Sequence, residues 1–175
     1  IDSNDTCVNV TLLTYGDFVG DSIAAYKYIR DNMDYIDNGK IIFAGHSQGA
    51  SIAPYVSSYM NVDYAMSLMG TGVPIDQVIL WQEEYLLQWN ESRIEEDRIT
   101  FELIMNQTLS GFDVVNILDS PATAIFWYEW LMLEQSQMRL NAISQLKHIY
   151  TINSDADSNV PPWSYHPLHE LIDTI

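Results

Sequence analysis

The segment Gly45-His46-Ser47-Gln48-Gly49 has the G-x-S-x-G pattern of a nucleophilic serine on a sharp turn between a strand and a helix. Residues 40–44 before it form a short apolar run of β-formers, and residues 50–53 after it are compatible with a helix. We expect glycine at positions 45 and 49 because a side chain on either flank would crowd this turn. The pattern predicts Ser47 as a nucleophile, and an ordinary turn serine is the alternative interpretation.

A serine hydroxyl needs a histidine base, and the histidine needs a carboxylate that fixes its tautomer. Where the serine comes first in the chain, the acid follows in a loop after a later strand and the histidine comes last. Asp157 fits this place, because it follows a strand predicted over 148–152 and precedes Val160-Pro161-Pro162. Asp155, in the same loop, is the rival carboxylate.

The catalytic base is not assigned by the sequence. His166 and His169 follow Asp157 closely, within a predicted helix and without an intervening strand, which makes them weak candidates. We expect His46 to point away from the nucleophile, because it lies inside the turn motif. His148 begins a strand and is interpreted as structural.

The elements that must position these residues alternate between helix and strand. Asp17 is predicted to cap the first helix. The predicted elements are helix 18–33, strand 40–44, a helix from just after Ser47 to about residue 59, strand 64–68, strand 148–152 and helix 166–175. This order predicts an α/β fold with a parallel sheet flanked by helices.

Residues 75–147 show helical periodicity and little strand character. Such a block is too long for a simple crossover between two strands, and its segment 125–133 is strongly aromatic. We therefore predict a helical lid over 75–146 that covers an apolar pocket. The incomplete core would comprise residues 1–74 and 147–175.

Composition excludes several classes of partner. The net charge of −17 repels phosphate backbones, so nucleic acid is not an expected partner. No run of 18 uncharged apolar residues occurs, so no membrane-spanning helix is predicted. His and Cys show no metal-ligand spacing, and we expect neither a metal nor an organic cofactor.

The sequence favours a secreted or lumenal protein. Cys7 is the only cysteine, so an internal disulfide is impossible. N-x-S/T sequons begin at Asn4, Asn9, Asn90 and Asn106, and such sites accept N-linked glycans in the secretory pathway.

Four segments carry a family resemblance. Segments 18–26, 41–54 and 72–74 resemble the α/β-hydrolase esterases of the dienelactone-hydrolase and acyl-peptidase branch. Segment 152–162 is similar to the acid loop of that branch, usually N-G-x-x-D-x-x-V-P, with Ser154 in place of the usual glycine. The resemblance spans most of the chain and is strongest around Ser47.

The resemblance implies a partial α/β-hydrolase fold with Ser47 as nucleophile, Asp157 as triad acid and the Gln48 backbone amide as an oxyanion donor. In the family, a Gly-rich turn supplies a second oxyanion amide, and a late strand leads to the catalytic histidine. We expect these parts before residue 1 and after residue 175, or in another chain.

The expected reaction is hydrolysis of a carboxylic ester or thioester through an acyl-serine intermediate. The aromatic lid favours a small-molecule substrate with an apolar acyl or aryl group. Two alternatives stay open: a catalytically inactive hydrolase-like subunit with a structural or binding role in a larger assembly, and a serine peptidase of the same fold.

Overall fold

The computed structural model describes residues 13–37, 40–135 and 137–174, apart from the side chains of residues 134–140. The sequons at Asn4 and Asn9 and the cysteine Cys7 lie outside the described residues. The elements are α1 (Tyr15–Asn32), β1 (Ile42–His46), α2 (Gln48–Tyr59), β2 (Tyr64–Leu68), α3 (Ile75–Trp81), a π-helical turn (Gln82–Leu86), α4 (Glu91–Met105), β3 (Val114–Ile117), β4 (Ser120–Thr123), α5 (Ala124–Gln135), α6 (Gln137–Gln145), β5 (His148–Ile152) and α7 (Pro162–Asp173).

Three parallel strands form the central sheet in the order β1-β2-β5, which confirms the predicted α/β class and a parallel sheet flanked by helices. Strands β2 and β5 occupy the predicted residues. Strand β1 begins at Ile42 rather than at residue 40, because the Lys40 N–H closes a turn onto the Asp37 carbonyl at 2.8 Å. The carboxyl ends of all three strands lie at one edge, where His46, Leu68 and Ile152 are in register.

Two predicted helix starts are wrong. Thr14, not Asp17, is the N-cap of α1, and Asp17 is the third helical residue of a capping box. The Asp17 N–H donates to Thr14 Oγ1 at 3.2 Å, and the Thr14 N–H donates to Asp17 Oδ2 at 2.7 Å. Helix α7 begins at Pro162 rather than at residue 166, because proline fits the first turn of a helix.

The predicted lid contains an antiparallel hairpin of β3 and β4, so the expectation of little strand character there was wrong. Leu118 and Asp119 join the two strands, and both have a φ of 54°. Two positive φ angles match the right-handed twist of a two-residue hairpin turn. Each strand has four residues, which is too short for a period to show in the sequence.

The lid segment has its own apolar core. Its buried members are Ile75, Val78, Ile79, Phe101, Ile104, Ile117, Ala124, Trp127 and Leu131. A second cluster joins α5 to α1 and α2, where Tyr15 stacks on Trp130 with ring centroids 5.5 Å apart. The Gly16 N–H also donates to Glu129 Oε2 at 2.7 Å. The segment predicted as a lid is therefore packed, through α5, against α1 and α2.

None of the helices in the described part of the chain combines the length and the apolar character that a membrane crossing requires.

Candidate active site

Ser47 lies on the turn between β1 and α2, where the prediction placed it. Its backbone has φ 55° and ψ −118°, a conformation that L-residues adopt only under constraint. The Ser47 N–H donates to the Leu68 carbonyl at 3.0 Å, and the Ala50 N–H donates to the Ser47 carbonyl at 2.9 Å. The side chain is exposed and makes no capping bond to the helix, which leaves the hydroxyl available for chemistry.

The two glycines of the motif differ in how much space a side chain would have. A Cβ added to Gly45 would lie 1.8 Å from the Gly49 carbonyl oxygen, so only glycine fits at position 45. A Cβ added to Gly49 would meet nothing within 4 Å, and the φ of Gly49 is not positive. The expectation that both positions require glycine was therefore wrong for Gly49, whose backbone, rather than its missing side chain, approaches β1.

This difference gives a prediction about stability. Gly45→Ala should lower the free energy of unfolding by about 3 kcal/mol or more, because two backbone segments would have to separate. Gly49→Ala should be neutral or stabilising by up to about 1 kcal/mol, because alanine is the better helix former. Urea unfolding of the two variants measures both values, and equal losses would contradict the close approach of β1 and α2.

A cavity of about 260 Å³ lies over Ser47. Ser47 and Gln48 form part of its wall, and the lid contributes an apolar wall made of Ile75, Val78, Ile79, Ile117, Trp127 and Trp130. A larger depression of about 320 Å³ runs along α1 and α2 and includes Gln48 but not Ser47. Of these two cavities, only the smaller one includes Ser47 in its wall.

Gln48 is the first residue of α2, so its backbone N–H has no acceptor within the helix. The aligned peptides of α2 add a partial positive charge at the same end. The Gln48 carbonyl accepts a hydrogen bond from the Tyr15 hydroxyl at 3.3 Å, which helps to fix this first turn. The arrangement can stabilise negative charge on an oxygen beside Ser47.

Asp157 lies in the loop after β5, at the same edge of the sheet as Ser47. Its Oδ1 atom accepts the N–H groups of Asn159 at 2.7 Å and Val160 at 3.1 Å. Asn159 and Val160 in turn line the cavity over Ser47. The structure thus brings the acid loop to the cavity, although the Asp157 side chain is not itself part of the wall.

Asp155 has a different partner. It accepts a short hydrogen bond from the Tyr165 hydroxyl, and this bond is the main cause that raises the pKa of Tyr165, followed by its burial. Tyr165 is buried on α7. Asp155 therefore fastens the acid loop to α7.

No histidine of the described residues lines the cavity over Ser47. His46 is exposed at the end of β1, and His148 stacks on Tyr64 with ring centroids 5.0 Å apart. The two histidines of α7 also have other neighbours: His166 lies edge-on to Tyr165, and His169 Nε2 lies 3.2 Å from Asn153 Oδ1. Among the described residues, the predicted nucleophile and the loop of the predicted acid thus lie at one edge of the sheet, with no histidine in the wall of the cavity.

Sequence reasoning missed two buried carboxyl groups in the lid, Glu83 and Asp97, which are 0% and 2% exposed. Burial is the main cause that raises the pKa of Glu83 from 4.5 to about 8; the neighbouring carboxyl group of Asp97 acts in the same direction, while Arg93 opposes the shift. Glu83 stands beside Glu84 in a helical stretch, where a carboxyl group is normally solvated. In the sequence, the only indication of this cluster is the i, i+4 spacing of Arg93 and Asp97, which predicts a contact between those two side chains on one helix face.

Within the described ranges, no group of three His, Cys, Asp or Glu side chains is arranged to hold a metal ion. Comparison of the chain with protein-family models, with curated proteins and with solved structures gives no match.

Proposed function

We propose that this chain is the nucleophile-bearing part of a serine hydrolase with an α/β-hydrolase fold, which cleaves carboxylic esters or thioesters. The proposal depends on one observation. Ser47 is held at φ 55° on a strand-to-helix turn, and only glycine fits at position 45 of that turn. Strain of this kind persists where the surrounding structure enforces it, and it is concentrated at active sites.

In the proposed reaction, the Ser47 hydroxyl attacks the carbonyl carbon while a histidine takes its proton. The backbone N–H of Gln48 donates to the oxygen that becomes negative in the tetrahedral intermediate. The histidine then protonates the departing alcohol or thiol, and water releases the acid from the acyl-serine. Asp157 orients the histidine and stabilises its positive charge.

The spacing of the strands is compatible with these roles. Neighbouring strands lie about 4.8 Å apart, so the ends of β1 and β5 are separated by about 10 Å across β2. Side chains from both ends can reach a common imidazole at that separation. We propose that the imidazole and a second oxyanion donor come from other parts of the fold or from another chain.

The lid determines the proposed substrate class. Its cavity wall is aliphatic and aromatic, and the net charge of −17 disfavours anionic ligands. A small neutral ester with an apolar acyl or aryl group fits these conditions. No metal or organic cofactor enters the proposed reaction.

A fluorophosphonate probe tests the proposal on the intact native protein, because such probes form a covalent bond with an activated serine. We expect one labelled residue, Ser47, and complete loss of labelling in Ser47→Ala. Ser22→Ala is the matched control and should label like the wild type, because the Ser22 hydroxyl donates to the Phe18 carbonyl away from this cavity.

Absence of labelling in a folded full-length protein would favour the second candidate, a catalytically inactive subunit that binds or supports a partner. The lack of a cavity-lining histidine among the described residues is the observation that favours it. If labelling occurs, turnover of matched ester and amide substrates separates the proposed esterase from a serine peptidase of the same fold.

We also propose a secreted or lumenal location, which rests on the sequons. Asn106 is exposed at the end of α4. Asn90 is the N-cap of α4, and its side chain accepts the Arg93 N–H at 3.1 Å. Glycosidase treatment of the native protein should reduce its mass if these sites carry glycans.

A further inference from the structure

One hydrogen bond fastens the lid to the acid loop. Gln82 Nε2 donates to the Asn159 carbonyl at 2.7 Å, and the Asn159 N–H donates to Asp157 Oδ1 at 2.7 Å. Gln82 and Asn159 both line the cavity over Ser47. The position of Asp157 is thus coupled, through a single residue, to the lid.

The next residue, Glu83, belongs to the same π-helical turn and is fully buried. Neither carboxyl oxygen of Glu83 has a hydrogen-bond donor among the described residues. A carboxylate without a donor in such a place would be strongly destabilising. Burial and the neighbouring carboxyl group of Asp97 both raise the pKa of Glu83. The buried position therefore favours the neutral, protonated form of Glu83.

The cation in this region lies beside Asp97. Arg93 Nη2 lies 4.0 Å from Asp97 Oδ1 and 3.3 Å from Asp119 Oδ1, and Arg93 Nη1 lies 3.4 Å from Glu96 Oε2. The guanidinium is also held over the Trp89 ring. Arg93 thus pairs with Asp97, whereas Glu83 has no ion pair among the described residues, which favours its neutral form.

Asp97 also connects the pair to the cavity. Its Oδ2 atom accepts the Leu118 N–H at 3.3 Å, and Leu118 lines the same cavity as Gln82. The π-helical turn, α4 and the β3–β4 turn therefore meet at these two carboxyl groups. A second negative charge in this buried place would push the π-helical turn away from α4.

We propose that Gln82 is a positioning residue for the acid loop, and that a neutral Glu83, buried beside it in the π-helical turn, holds Gln82 against Asn159. Loss of the Glu83 proton releases Gln82 from the Asn159 carbonyl and loosens the loop that carries Asp157. The role of Asp157 in catalysis rests on the proposed function, but the hydrogen bond and the buried neutral Glu83 do not.

Carbon-detected NMR of the full-length protein between pH 6 and 9 tests this coupling without any need for catalysis. We expect the side-chain carboxyl carbon of Glu83 and the carbonyl carbon of Asn159 to titrate together, with a midpoint near the Glu83 pKa of about 8. In Glu83→Gln, the Asn159 signal should stay constant over this range. Glu84→Gln, at the exposed neighbouring position, should titrate like the wild type.

Gln82→Met tests the titration of Glu83 separately from its effect on Asn159. Methionine keeps the length of the side chain but cannot donate a hydrogen bond to the Asn159 carbonyl. In this variant Glu83 should still titrate and Asn159 should not. If the protein reacts with a fluorophosphonate, the same variant should also react about tenfold more slowly below pH 8, with the pH dependence between 7 and 9 reduced.

Two results would overturn the inference. One is a chemical shift of the Glu83 carboxyl carbon that shows an ionised carboxylate already at pH 6. The other is an Asn159 carbonyl signal that does not change while Glu83 titrates. A protein that shows the joint titration but never reacts with the probe would refute the proposed function and leave the coupling intact.

Discussion

Asp157→Asn is expected to lower the rate of ester cleavage by about 10⁴-fold, the loss that follows when a triad carboxylate no longer fixes its histidine. The fold should be preserved, because the asparagine Oδ1 can still accept the N–H groups of Asn159 and Val160. Steady-state hydrolysis of an aryl ester by the full-length protein measures the rate. Unfolding in urea, monitored by tryptophan fluorescence, checks that stability is retained.

Asp155→Asn is the matched control, since it changes the rival carboxylate in the same loop. Asp155 is already engaged with Tyr165, so its replacement should weaken the attachment of the loop to α7 and lower stability. We expect less than a tenfold change in cleavage rate at a temperature where the variant is folded. If Asp155→Asn loses most of the cleavage rate while Asp157→Asn stays active, Asp155 and not Asp157 is the triad acid.

Glu83→Gln should make the protein more stable at alkaline pH. The pKa of Glu83 is raised from 4.5 to about 8 in the folded chain, so the unfolded chain ionises first as the pH rises. The contribution of Glu83 is thus fully present below pH 4.5 and is lost as the pH rises through 8. At 1.4 kcal/mol per pKa unit, the loss is about 5 kcal/mol by pH 9. Glutamine stays neutral and avoids it.

Urea unfolding of the wild type and the variant at pH 5, 7 and 9 measures this effect. The difference in unfolding free energy should grow with pH in favour of Glu83→Gln, because the other titrating groups are common to both proteins. Glu84→Gln, whose position is exposed, should give a curve parallel to the wild type. A constant difference between wild type and Glu83→Gln would mean that Glu83 is ionised in the folded protein at pH 5.

Local patterns predicted the elements whose cause is local. The strands over 64–68 and 148–152 are short runs that occupy the predicted residues in the structure, and the turn at Ser47 follows from glycine at position 45. Helix boundaries were less accurate at both ends of the chain. The start of α1 depends on which of Thr14 and Asp17 receives the capping bond, and both residue types can cap a helix.

The motif at Ser47 and the positions of the parallel strands were readable from the chain because each depends on neighbouring residues: a β-rich run, a glycine that lets β1 and α2 touch, and a helix start. The cavity, the β3–β4 hairpin, the bond from Gln82 to Asn159 and the burial of Glu83 and Asp97 were not. These features join residues far apart in sequence or depend on the burial of a side chain. Neither the contacts nor the burial exist until segment 75–146 has folded against the rest of the chain. A buried glutamate and a solvated one are the same residue in the sequence. Only folding gives them different pKa values.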